Sequence, residues 1–240
     1  MKYLAVLLLA GCVGCKEDGF EMPIEQTQSS SAAHEAGHYV FKKDTGPVVM
    51  LFGNDAESML YHGGLGPNVV ESLEAKHFSL LAFDLPCHGF DKESIPPLDC
   101  WRRRIEAGDA DLFKRFCTYM SETLTDLRLD NVMVLGLSRG GYVAATCAAQ
   151  DSRIRAAALL IPVTDLQMLA EFRGFTVPGS FALPSISIPT YLRIGHADGR
   201  VDTASAVAYG ARIGATVVVM DTPDHDAHEE GQTAEWLMLH

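Results

Sequence analysis

Positive charge is what this chain has least of: 19 Lys and Arg stand against 31 Asp and Glu, a formal net charge of -12. A surface that negative repels phosphate backbones, so nucleic acid is not an expected partner. No run of like charge exceeds the triplet Arg102-Arg103-Arg104, which excludes an acidic or basic tail. No apolar run approaches the roughly 20 residues that a membrane-spanning helix takes. No glycine period is present, which excludes a collagen-like chain, and no internal repeat is visible. What is present is an ordinary globular composition: 240 residues, 48% of them hydrophobic. That is too apolar for disorder and too long for a disulfide-stapled mini-scaffold, and it fits one domain with a tail.

The tail reads as an address. Lys2 precedes an apolar run from Tyr3 to Ala10, and small residues Gly11 and Gly14 follow. A basic start, a short apolar core and a small-residue exit are the order of a secretory signal peptide. Within it, Leu9-Ala10-Gly11-Cys12 resembles the lipobox of bacterial lipoproteins. That resemblance implies cleavage after residue 11 and a lipid on Cys12, hence a chain anchored to the bacterial cell envelope and facing the periplasm or exterior. Plain secretion or a buried N-terminal strand is the alternative. Residues 12–37 are polar and Ser-rich, and are expected to form a flexible tether to a domain spanning 38–240.

Four further cysteines, Cys87, Cys100, Cys117 and Cys147, match no metal or redox spacing. A Cys87–Cys100 bridge is open in an exported protein. Cys117 and Cys147 lie in apolar helical surroundings and are expected as buried thiols. His34-Glu35-Ala36-Gly37-His38 matches the HExxH pattern of zinc proteases, but no helical period surrounds it and Gly37 interrupts it. No metal site is expected there, and no cofactor anywhere.

From residue 38 onward, β-rich runs alternate with amphipathic ones. Strands are expected at 38–42, 48–52, 58–61, 79–84, 131–137, 156–161, 190–194 and 216–220. Helices are expected at 69–75, 110–127, 139–149, 203–213 and 229–239. Runs such as Val132-Met133-Val134-Leu135 are apolar without alternation, as strands covered on both faces are. The pattern predicts an α/β fold with a mostly parallel eight-stranded sheet. The first two strands, joined by Asp44-Thr45-Gly46-Pro47, read as an antiparallel hairpin at its edge.

Reactive groups in such sheets gather past the carboxyl ends of the strands. After 131–135 comes Gly136-Leu137-Ser138-Arg139-Gly140, a G-x-S-x-G turn between strand and helix. The tight turn presents Ser138 at a helix N-terminus, where negative charge is favoured. A serine nucleophile needs a base, and the base needs a carboxylate to fix its tautomer. Asp198, on the loop after 190–194, is the expected acid, with Asp202 read as the cap of the next helix. His225 is the expected base and His228 the alternative, both past the last strand. His196 precedes the acid and is read as a surface residue. An oxyanion needs two backbone donors. Arg139 N–H is one, and the glycine turn at His62-Gly63-Gly64-Leu65-Gly66 offers Gly64 or Leu65 for the other.

These pieces, with Asp84-Leu85-Pro86-Cys87-His88-Gly89, Ala197-Asp198-Gly199-Arg200-Val201 and the terminal Asp224-His225-Asp226-Ala227-His228, resemble the α/β-hydrolase superfamily over residues 38 to 240. Arg139-Gly140-Gly141 and the loop at Asp198 are most similar to prolyl oligopeptidase-like and dienelactone hydrolase-like enzymes. The resemblance implies a serine hydrolase that cleaves a small ester, or a short peptide, through an acyl-enzyme. It departs from the larger peptidases in lacking a propeller domain, and the segment between 161 and 190 allows only a small lid. A carboxylesterase is expected. A serine peptidase and a non-catalytic binding protein on the same fold stay open.

Overall fold

The computed structural model describes residues 25–29, 38–65, 68–223, 225 and 231–240. The segment read as a signal peptide, Cys12, the first four residues of the HExxH match, Gly66 and His228 lie outside them. Eight strands form one sheet: β1 (Glu25–Ser29), β2 (His38–Lys42), β3 (Val48–Phe52), β4 (Ser79–Phe83), β5 (Val132–Leu137), β6 (Ile154–Leu160), β7 (Thr190–Gly195) and β8 (Thr216–Met220). Their spatial order is β1-β2-β4-β3-β5-β6-β7-β8. The pairs β1–β2 and β2–β4 are antiparallel and every other pair is parallel.

Three expectations change. Residues 25–29, placed in the tether, are the edge strand β1. The hairpin at 38–52 does not form, because β4 inserts between β2 and β3 and pairs with both. Residues 58–61 are not a strand but lie in helix α1 (Ala56–Tyr61). Asp55 decides that outcome: its carboxylate accepts from Ser58 N–H at 2.8 Å and Ser58 Oγ–H at 2.7 Å, an N-cap that starts a helix.

The remaining helices are α2 (Val69–Ala75), α3 (Pro97–Glu106), α4 (Leu112–Asp126), α5 (Arg139–Ala148), α6 (Thr203–Ile213) and α7 (Gln232–Met238). Proline at the first position of α3 is compatible with a helix start, since its absent N–H would have no partner there. The central strands are covered on both faces: Val49, Met50, Leu51, Met133, Val134 and Leu135 are fully buried. Between β6 and β7 the chain makes only short 3-10 turns, at Leu166–Met168, Ala170–Phe172 and Gly179–Phe181. No helix among the described residues is long and apolar enough to cross a membrane.

Two disulfides join Cys87 to Cys100 and Cys117 to Cys147. The second corrects the expectation of free thiols. Cys117 on α4 and Cys147 on α5 each lie on the buried side of their helix, and the two helices pack together. Each cysteine is therefore the other's neighbour, with Cα atoms 5.1 Å apart, well within bridging range.

Candidate active site

The carboxyl ends of β5, β7 and β8 bring Ser138, Asp198 and His225 together. Ser138 is held at φ 53° and ψ -117°, a conformation that L-residues rarely adopt. Its N–H donates to Leu160 O at 2.9 Å, and its carbonyl accepts from Gly141 N–H and Val163 N–H at 3.0 and 2.9 Å. Those bonds stitch the turn to the end of β6 and to the start of α5. The glycines of the motif have a steric purpose. A Cβ on Gly136 would sit 2.5 Å from Gly140 O, and one on Gly140 would sit 2.0 Å from Phe52 O. Helix α5 can pack this close to β3 and β5 only if those side chains are missing.

His225 Nδ1 lies 2.7 Å from Asp198 Oδ2 and its Nε2 lies 2.9 Å from Ser138 Oγ. A carboxylate only accepts, so the proton sits on Nδ1 and donates to Asp198. That leaves Nε2 as a bare lone pair facing the serine hydroxyl. The Asp198 side chain is fully buried. Its other oxygen accepts from Arg200 N–H at 2.9 Å and Val201 N–H at 3.2 Å, so the buried charge is satisfied on both sides. Thr203 closes the same loop: its Oγ1 donates to Gly195 O at 2.7 Å and accepts from Asp198 N–H at 3.0 Å. Asp202, the rival acid, caps α6 by accepting from Ser205 N–H at 2.9 Å. His196 N–H donates to both Met220 O and Thr222 O at 3.0 Å, tying the loop that carries the acid to the chain that carries the base. Its imidazole is half-exposed and faces Asp221, away from the serine.

Gly64 does not reach the site. Because 58–61 are helical, residues 62–65 are the exit of α1 instead of a strand end, and Gly64 N–H already donates to Ser58 O at 2.9 Å. Leu65 is packed into the core beside it. The strand-end loop next to the serine is Gly53-Asn54 instead, which sequence reasoning missed. Phe52 pairs with Gly136 in the β3–β5 register, so two further steps bring Asn54 level with Ser138. A Cβ on Gly53 would lie 3.7 Å from Leu137 Cβ, which shows how closely this loop meets the elbow. Among the described residues, the N–H groups of Asn54 and Arg139 take no backbone partner. The signal was a single glycine directly after a buried strand, overshadowed by the richer glycine cluster ten residues later.

The loop after β4 lines the other flank. Asp84 accepts from Ala56 N–H at 2.8 Å and Phe90 N–H at 3.0 Å, locking the start of α1 to this loop. His88 is buried, and its Nδ1–H donates to Pro86 O at 2.9 Å. Burial, and then repulsion from Arg139, push its pKa down to about 4, against the opposing pull of the Pro86 carbonyl, Asp55 and Asp84. Its Nε2 is buried with no hydrogen-bond partner among the described residues. Arg139, the first residue of α5, has its own pKa lowered by burial and then by Arg200, with Glu171 partly offsetting both.

One group among the described residues has ligand atoms close enough for a metal: Cys87, Cys100 and Glu93. Both sulfurs are joined in the disulfide and Glu93 is paired with Arg103 and Arg104, so its donors are already engaged. His38, the end of the HExxH match, is buried in β2 with Nδ1 3.4 Å from Asp84 Oδ1.

A search of curated protein sequences finds no match. Solved structures do match in fold. Dienelactone hydrolase from Anabaena variabilis superposes with a TM-score of 0.63 at 18% identity, over 91% of this chain and 98% of that one. The esterase Pf2001 of Pyrococcus furiosus gives 0.64 at 15% identity, over 90% of each chain. A 2,6-dihydroxy-pseudo-oxynicotine hydrolase gives 0.62 at 17% identity, over 90% of this chain and 67% of that one. At these identities the likeness is one of fold. A sequence profile of the alpha/beta hydrolase family matches residues 59–237, most of the chain, from within α1 to within α7, and the protein belongs to that family.

Proposed function

We propose that the protein is a serine hydrolase that cleaves carboxylic esters through an acyl-enzyme. The observation that carries this reading is the continuous hydrogen-bonded line from Asp198 Oδ2 through His225 to Ser138 Oγ, at 2.7 and 2.9 Å. Ser138 Oγ attacks the ester carbonyl while His225 Nε2 takes its proton. Asp198 holds the imidazole in the tautomer that can accept and steadies the imidazolium that forms. The tetrahedral oxyanion is met by the N–H groups of Arg139 and Asn54, aided by the positive end of α5. His225 then returns the proton to the leaving alkoxide. A water enters, His225 deprotonates it, and the second collapse frees the acid and restores Ser138.

Esters are favoured over peptides because only short 3-10 turns stand between β6 and β7 to cover the site. Ser138→Ala is expected to lower 4-nitrophenyl ester turnover by roughly 10⁴-fold or more without loss of the folded state. Labelling by a fluorophosphonate probe should vanish in the same variant. Retained turnover or retained labelling would remove Ser138 from the mechanism. His225→Ala against His228→Ala decides the base: a large loss is expected only in the first.

We also place the protein outside the cytoplasm, tethered by a lipid on Cys12. Two disulfides in the folded domain suit an oxidising compartment. Metabolic labelling with an alkyne fatty acid should mark the wild type and not Cys12→Ser.

A further inference from the structure

The two arginines near the serine are unequally engaged. Arg200 forks onto Glu171, Nη1 to Oε2 at 3.0 Å and Nη2 to Oε1 at 2.5 Å. Both oxygens of Glu171 accept from Arg200, and against the effect of burial that pair, with a smaller contribution from the charge of Arg139, holds the carboxyl below its usual range. Arg139 is left over. Among the described residues its guanidinium makes no hydrogen bond or ion pair, although it is only partly exposed and next in sequence to the nucleophile. The charges it feels lie on two sides. His88 is on the loop after β4, while Arg200 and Glu171 are on the loop after β7 and the 3-10 turn Ala170–Phe172. Arg139 follows Ser138 directly and opens α5, so its side chain starts at the carboxyl end of β5. His88 offers it no negative charge, since an imidazole is either neutral or cationic.

A half-desolvated guanidinium that makes no ion pair, with Glu171 bonded to the neighbouring Arg200 instead, is an energetic liability to the folded protein. An anion supplied from outside would relieve it, and the planar fork of arginine fits a carboxylate. We propose that Arg139 selects the substrate: the ester cleaved by Ser138 carries a carboxylate a few bonds from its scissile carbonyl, and that carboxylate docks on the Arg139 guanidinium. This rests on the reading of the site as a serine hydrolase. It gives the side chain of Arg139 a task separate from that of its backbone N–H. It also explains why a strongly acidic protein keeps two arginines beside a buried acid: they locally offset a field that would repel an anionic substrate.

The test uses pairs of esters that differ in charge and hardly in shape. On the acyl side the pair is 4-nitrophenyl hydrogen adipate and 4-nitrophenyl adipamate; on the alcohol side it is 4-acetoxybenzoate and 4-acetoxybenzamide. Each kcat/KM is divided by the hydroxide rate of the same ester. The wild-type protein is expected to prefer the carboxylate by about ten- to a hundredfold in at least one pair, the range of a charge-assisted hydrogen bond. Arg139→Gln should bring that ratio close to one and Arg139→Lys should keep part of it, and a ratio within one variant cancels any general loss of rate. A wild-type ratio at or below one in both pairs overturns the inference, as does a preference that survives in Arg139→Gln. In either case cleavage of the neutral esters leaves the serine hydrolase reading standing. If the wild type cleaves none of the four esters and resists the fluorophosphonate probe, the hydrolase reading fails and this inference falls with it.

Discussion

Ser138 adopts a positive φ without being glycine, and the fold holds it there through bonds to Leu160, Gly141 and Val163. Such a conformation costs on the order of 1–3 kcal/mol. Ser138→Gly should therefore raise the urea midpoint by the equivalent of about 1 kcal/mol while turnover disappears, whereas Ser138→Ala should leave the midpoint nearly unchanged. Equal midpoints in the two variants would mean that the turn stores no strain. His88 makes a second prediction at this scale. Its pKa falls from 6.5 to about 4 on folding, so the unfolded chain takes up the proton first as the solution is acidified. Stability is then full above the unfolded value and declines as pH drops from about 6.5 toward 4, by about 3 kcal/mol when complete. His88→Asn keeps a donor for Pro86 O and removes the titration. Its urea midpoint should fall less than the wild type's between pH 7.5 and pH 4.5.

At the scale of elements, the Cys117–Cys147 bridge fastens α4, which flanks the sheet, to α5, which has Ser138 as its N-cap. Closing a loop across 30 residues contributes about 3–4 kcal/mol in a chain-entropy account. The Cys117→Ser, Cys147→Ser double variant should melt roughly 6–16 °C lower by calorimetry. Its kcat should stay near the wild-type value at 25 °C, since neither sulfur touches the triad. The helices 69–75 and 203–213 emerge with the ends read from the sequence, the second with the cap expected at Asp202. The segment 56–61 was not legible. Glu57, Ser58, Met59, Leu60 and Tyr61 are too few to display a 3.6-residue period, and the deciding signal was the cap at Asp55. That one misreading moved the expected oxyanion donor from Asn54 to Gly64. The Cys117–Cys147 pair was illegible for a different reason, because no local pattern encodes which two helices meet.

For the molecule as a whole, the parallel order of the sheet was readable from unalternating apolar strands, but the insertion of β4 between β2 and β3 was not. Strand neighbours depend on how crossovers return, and a short loop such as Asp44-Thr45-Gly46-Pro47 invites a hairpin that the crossover overrides. The same strand order has a bearing on how the machine would break. Asp198 and His225 arrive on adjacent ribbons, β7 and β8, which pair along their length and are tied beyond their ends by the forked amide of His196, while Ser138 stands two ribbons inward on β5. Loosening along the β6–β7 seam would carry imidazole and carboxylate away together. Partial damage to this protein should thus leave an intact proton bridge with nothing to activate: a loaded spring beside an idle alcohol.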